Sequence, residues 1–144
     1  MIIDAASLID RTVTVVNRLR TPSGDEWRAT VLDGCMWART DGRAQSSGSV
    51  SPSSQVTLQI PEEACGSYVE PADYDGDGWT LRTGDWVCLG AVELPGTSAS
   101  SMREAVDAAD SAVVTAVRDL RGRGAVSVPG PLGKWASILY AEAR

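Results

Sequence analysis

The sequence predicts a mostly β fold, an antiparallel barrel or sandwich of about six to seven strands with one short accessory helix. Three observations carry this expectation. Apolar residues alternate with polar ones in several short runs, most of these runs are joined by turns of hairpin length, and a single stretch carries a helix-start signature. At 144 residues the chain reads as one β-rich domain, residues 1–144, large enough for one core and too short for two comfortable ones.

From Arg11 to Arg20 the run RTVTVVNRLR sets Val13, Val15 and Asn17 on one face and Thr12, Thr14 and Val16 on the other, the period of a strand. Thr21 to Asp25, TPSGD, supplies turn chemistry, so Trp27 to Trp37 is expected to return as the hairpin partner. Trp27, Ala29 and Val31 alternate there, with Cys35 and Trp37 expected in phase. Leu32 and Met36 claim the opposite side, and the slip near Asp33-Gly34 predicts a bulge or a strand buried on both faces. Residues 40–54 are serine- and glycine-rich without an apolar period, which predicts a long loop.

Gln55 to Ile60 resumes alternation, and Pro61 ends it. A second loop, 61–78, leads to Trp79-Thr80-Leu81, the Arg82 to Asp85 turn and Trp86 to Val92, which together read as a second hairpin. Ser101 and Glu104 form a capping box that opens a short helix carrying Met102, Ala105, Val106 and Ala109. The β-branched cluster that follows favours a strand from about Ala112 to Asp119 over a longer helix. Residues 121–133 read as a flexible segment, and the ending KWASILYA as a last strand.

Composition narrows the function classes. The chain has no histidine, which removes Ser-His-Asp and Cys-His catalysis and imidazole metal sites. No catalytic residue, metal or cofactor is assigned, and the chain is expected not to be an enzyme. Cys35, Cys65 and Cys88 are odd in number and widely spaced, as expected for buried apolar residues in a reducing cytoplasm. A net charge of −6 and a pI near 4.6 disfavour sequence-specific nucleic-acid binding. No apolar run is long enough to span a bilayer, and the first residues lack a secretory signal. Five tryptophans and no phenylalanine leave indoles to fill most of the aromatic core.

Two local features could carry function. Asp73, Asp75 and Asp77 place carboxylates at alternate positions before glycine, as at the start of a calcium loop of the EF-hand type. The twelfth position is Gly84 where a bidentate glutamate belongs, so the ordinary reading is a solvated Asp/Gly turn. More broadly, 61–78 carries Glu62, Glu63, Glu70 and those three aspartates with no basic residue. Such a run is usually solvated surface; its functional reading is a negative wall beside a moving polyanion, or a docking face for a basic partner.

The order of features resembles a known family. TVTVVNR, WRATVLDGCMW, VTLQIP and WTLRTGDWVCLG, followed by VTAVRDLR at Val114 to Arg121, are similar to the small minor capsid or head-tail connector (head-closure) proteins of phages and prophages of Gram-positive bacteria. The resemblance implies a non-enzymatic virion structural protein at the head-tail neck, assembled in the host cytoplasm as a homo-oligomeric ring. Its partners would be portal or adaptor and tail-completion proteins. Gly42, Arg43 and Gln45 in one loop and Glu62, Glu63 and Glu70 in the other are the candidate channel-facing or partner-facing residues. The alternative is a small ligand-binding β module for carbohydrate or calcium.

Overall fold

A computed structural model describes residues 10–46, 49–121 and 138–144, with the backbone alone over 40–54. Among the described residues, six strands close an antiparallel barrel with one short α-helix on its outside. They are β1 (Arg11–Thr21), β2 (Gly24–Ser46), β3 (Ser49–Pro61), β4 (Trp86–Leu89), β5 (Ser111–Asp119) and β6 (Ile138–Ala143). The order around the barrel is β1-β2-β3-β6-β5-β4, and every pair is antiparallel. The helix, α1, spans Ala99–Asp107.

The β1–β2 hairpin turns through Pro22-Ser23 between the paired residues Thr21 and Gly24. Further along, Arg11 pairs with Cys35 and Val13 with Leu32, so two residues of β2, Asp33 and Gly34, oppose one of β1. This is the expected bulge, with Gly34 at φ 74 supplying the left-handed conformation. The bulge also corrects an expectation about phase. Leu32, Cys35 and Trp37 point into the core, whereas Ala29 and Val31 are exposed and Trp27 is half-buried. One extra residue swaps the faces, so Val31 and Cys35 do not share a side.

The bend lets β2 leave β1 and pair with β3 from Met36↔Gln59 onward. The loop expected over 40–54 is instead a two-stranded ribbon, with pairing continuous from Thr40↔Gln55 to Ser46↔Ser49. Backbone hydrogen bonding needs no apolar period, so a serine-rich segment can continue a hairpin whose base is held by the barrel. Because β6 reaches β3 only as far as Val56↔Ala143, this ribbon projects beyond the barrel by roughly 20 Å at ~3.3 Å per residue.

The predicted second hairpin is also corrected. Trp79-Thr80-Leu81 forms no strand beyond an isolated bridge between Tyr68 and Trp79, and β4 stops at Leu89 beside Gly90, whose φ is 93. Instead of pairing, Trp79 and Leu81 are buried in the core with Val13, Val15, Leu58, Ile60, Val87 and Leu139. The Arg82 to Asp85 turn is present and docks on β5, with Gly84 N–H donating to Val114 O and Val114 N–H to Asp85 O. β5 begins at Ser111, within a residue of its expected start.

The helix cap lies three residues before the expected one, at Ser98, whose side chain accepts the Ser101 N–H at 3.2 Å. Met102 and Val106, one turn apart, bury against Val16 and Cys88, with Trp27, Trp86, Val92 and Leu94 around them. This second cluster covers the outer face of β1. The predicted flexible segment 121–133 and the start of the last strand fall mostly outside the described residues.

Candidate functional site

Residues of the two predicted working loops lie at opposite ends of β3. Gly42, Arg43 and Gln45 belong to the projecting ribbon, paired with Ser53, Pro52 and Val50. Glu62, Glu63 and Glu70 follow Pro61, where β3 ends. The 13-residue strand separates the ribbon tip from the acidic segment by roughly 40 Å, so the structure does not bring the two sets together.

The acidic segment has a built frame beneath its exposed charges. Two short 3-10 turns, Glu62–Ala64 and Pro71–Asp73, shape it, and Val69 N–H donates to Trp79 O at 2.8 Å. Tyr68 meets the Trp79 ring edge-on, with centroids 5.0 Å apart. Arg121, at the end of β5, grips Asp119 with two hydrogen bonds of 2.9 and 2.8 Å, reaches Glu70 at 3.5 Å and stacks 4.5 Å over the Tyr68 ring. The hydrogen bonds Arg121 donates to the Asp119 carboxylate hold it above its ordinary pKa, so the clamp stays charged. Glu62, Glu63, Glu70, Asp73, Asp75 and Asp77 all face solvent around it. Asp75 Oδ1 accepts the Asp77 N–H at 3.1 Å, the bond of an Asp/Gly turn. Among the described residues, no group of three or more His, Cys, Asp or Glu could hold a metal ion.

No cysteine forms a disulfide, and all three are buried. Burial pushes the Cys65 thiol up and the Cys88 thiol up to about 11, so both are protonated at neutral pH and are weak nucleophiles. Trp37 and Trp79 are buried, Trp27 and Trp86 are half-buried, and Trp135 lies outside the described residues. No helix among the described residues is long and apolar enough to cross a membrane.

Sequence reasoning missed a groove of about 580 Å³ on the outside of β2. Trp27, Ala29 and Val31 line one side, and Val92 and Leu94, in the segment leading to α1, line the other. The apolar alternation in β2 was visible, but it suggested a core face, and only the bulge shows that it faces outward.

The closed barrel with its projecting ribbon and acidic segment places the chain among small β-barrel proteins. The chain belongs to the family of unknown function DUF6751, whose family model matches residues 8–127. No curated protein and no solved structure matches it.

Proposed function

We propose that this chain is a non-enzymatic structural subunit of a phage neck, a head-closure or connector protein. In this reading it forms a homo-oligomeric ring in the virion between portal or adaptor proteins and tail-completion proteins. The observation that carries the reading is the β2–β3 ribbon: a polar arm of roughly 20 Å on a rigid barrel can reach across a channel or onto a neighbour. A two-stranded ribbon is marginal by itself in water, so it is suited to taking up order from an assembly.

The acidic segment, at the other end of β3, would face a different neighbour. Its exposed carboxylates would repel passing DNA or meet a basic partner, and either effect would weaken with salt. Immunogold labelling of purified particles that encode the chain tests the location. Label at the head-tail junction is expected; label on the capsid faces or tail fibres, or none on intact particles, overturns the proposal.

A further inference from the structure

The geometry points to a docking edge: we propose that β2 from Ala29 to Asp33 accepts an extended segment of another protein as an added strand. The first half of β2 pairs with β1 alone, and pairing with β3 begins only at Met36. Its second edge therefore carries no strand among the described residues.

The register says which backbone groups that edge presents. The two-residue turn makes Thr21–Gly24 a hydrogen-bonded pair, and alternation along the ladder makes Asn17–Arg28 and Val15–Thr30 hydrogen-bonded as well. Trp27, Ala29 and Val31 fall in the intervening pairs, so their N–H and C=O groups point away from β1. Trp27 agrees, since its N–H donates outward to Thr97 O at 2.9 Å. The outward groups of Ala29 and Val31 have no backbone partner among the described residues.

Beside these outward groups lies the apolar groove, and Val31, 47% exposed, is a large hydrophobic residue left in water. An edge of this kind templates strand addition, and this one has neither proline nor lysine to block it. Charge narrows the occupant. Arg28 is engaged by Glu26 at 3.3 Å and Arg20 lies opposite Asp25, while Glu93 on the groove wall and Asp33 at the far end of the edge are exposed. The fitting partner is an extended segment, apolar at alternate positions and flanked by lysine or arginine. Such an edge would serve a neck subunit or any other assembly protein, so the site can fail while the neck reading survives.

Amide hydrogen exchange by NMR on the full chain tests it, with the blocked heptapeptide acetyl-Lys-Val-Thr-Val-Thr-Val-Lys-amide as probe. In the dilute free chain the Ala29 and Val31 amides should exchange fast. Peptide at up to about 1 mM should slow both by about tenfold or more and leave the already paired Thr30 unchanged. A peptide N-methylated at its edge-facing amides should lose the effect. Ala29→Pro, which removes an outward N–H and no β1 ladder bond, should fold normally and abolish the peptide's protection of Val31. Protection of Ala29 and Val31 in the dilute free chain would mean that the edge is covered within the molecule and overturns the proposal. So would protection that grows with protein concentration alone, which would identify a second copy as the occupant, or no protection by peptide. If Ala29→Pro fails to fold, the N-methylated peptide still decides.

Discussion

The side-chain amide of Asn17 donates to the carboxylate of Asp85 at 2.8 Å across 68 positions of sequence, and both residues are buried. Asn17 also donates to Thr80 O at 2.8 Å and accepts the Thr80 N–H at 3.1 Å, while Arg82 Nε donates to Asp85 at 3.0 Å. Arg82 Nη2 completes the link by donating to Arg18 O. This network does for Trp79-Thr80-Leu81 what a strand ladder would otherwise do: it pairs the buried backbone and holds two core side chains in place.

Asn17→Ala should therefore cost about 2–4 kcal/mol, because it strands the Thr80 backbone and one face of Asp85 in the interior. Urea unfolding followed by tryptophan fluorescence measures it. A loss below about 0.5 kcal/mol would mean that the network contributes little.

Stability should fall as the pH rises above 9. Burial raises the Cys88 thiol from its ordinary 9.0 to about 11, with Asp110 pushing the same way. In that window the unfolded chain loses its proton while the folded chain keeps it, so alkali favours unfolding. Burial raises Tyr68 and Tyr74 as well, which adds to the trend at higher pH. Cys88→Ala should flatten the stability profile between pH 9 and 11 relative to the parent; an unchanged slope would show that Cys88 does not cause it.

Two glycines with positive φ should respond differently to a methyl group. At Gly78, φ +72, a Cβ would lie 2.3 Å from Ser67 O, whereas at Gly84, φ +97, it would meet nothing within 4 Å. Gly84→Ala should cost about 1 kcal/mol for backbone strain alone, and Gly78→Ala clearly more, because the acidic segment must shift. Thermal unfolding of both variants checks the order.

Trp79 is completely buried, and its Nε1 has no hydrogen-bond partner among the described residues. Trp79→Ala should cost about 3–5 kcal/mol, and Trp79→Phe considerably less, since the phenyl ring keeps much of the volume and no indole hydrogen bond is lost. Chemical denaturation of the pair would show whether volume or polarity governs this site.

Replacing Arg43–Pro52 by Asn-Gly should leave the barrel's stability within about 0.5 kcal/mol, because the segment lies beyond Val56, where the pairing of β3 with β6 ends, and the Gly42↔Ser53 pair is kept to close a two-residue turn. In the neck reading the same change should yield particles that leak DNA or fail to join tails, and lysine at Glu62, Glu63 and Glu70 should slow ejection in a salt-dependent way. Normal infectivity and ejection in both would remove the ribbon and the acidic segment as working parts.

What the sequence determined by itself was the fold class and most of the strands. Alternation in RTVTVVNRLR and QVTLQI, the TPSGD turn and the break at Asp33-Gly34 are local signals, each set by side-chain period or backbone permission within a few residues. Tertiary structure decided what those signals could not carry. The 40–54 segment has no apolar period, and its pairing follows from the barrel holding the hairpin's base. Trp79-Thr80-Leu81 looks like a strand by propensity, yet its backbone is held by Asn17, whose partners lie 63 and 68 positions away. The outward groove at Trp27 and Val31 depends on a single bulged residue in β2. In a strand one added residue exchanges the two faces, and only the pairing with β1 shows which face received the core.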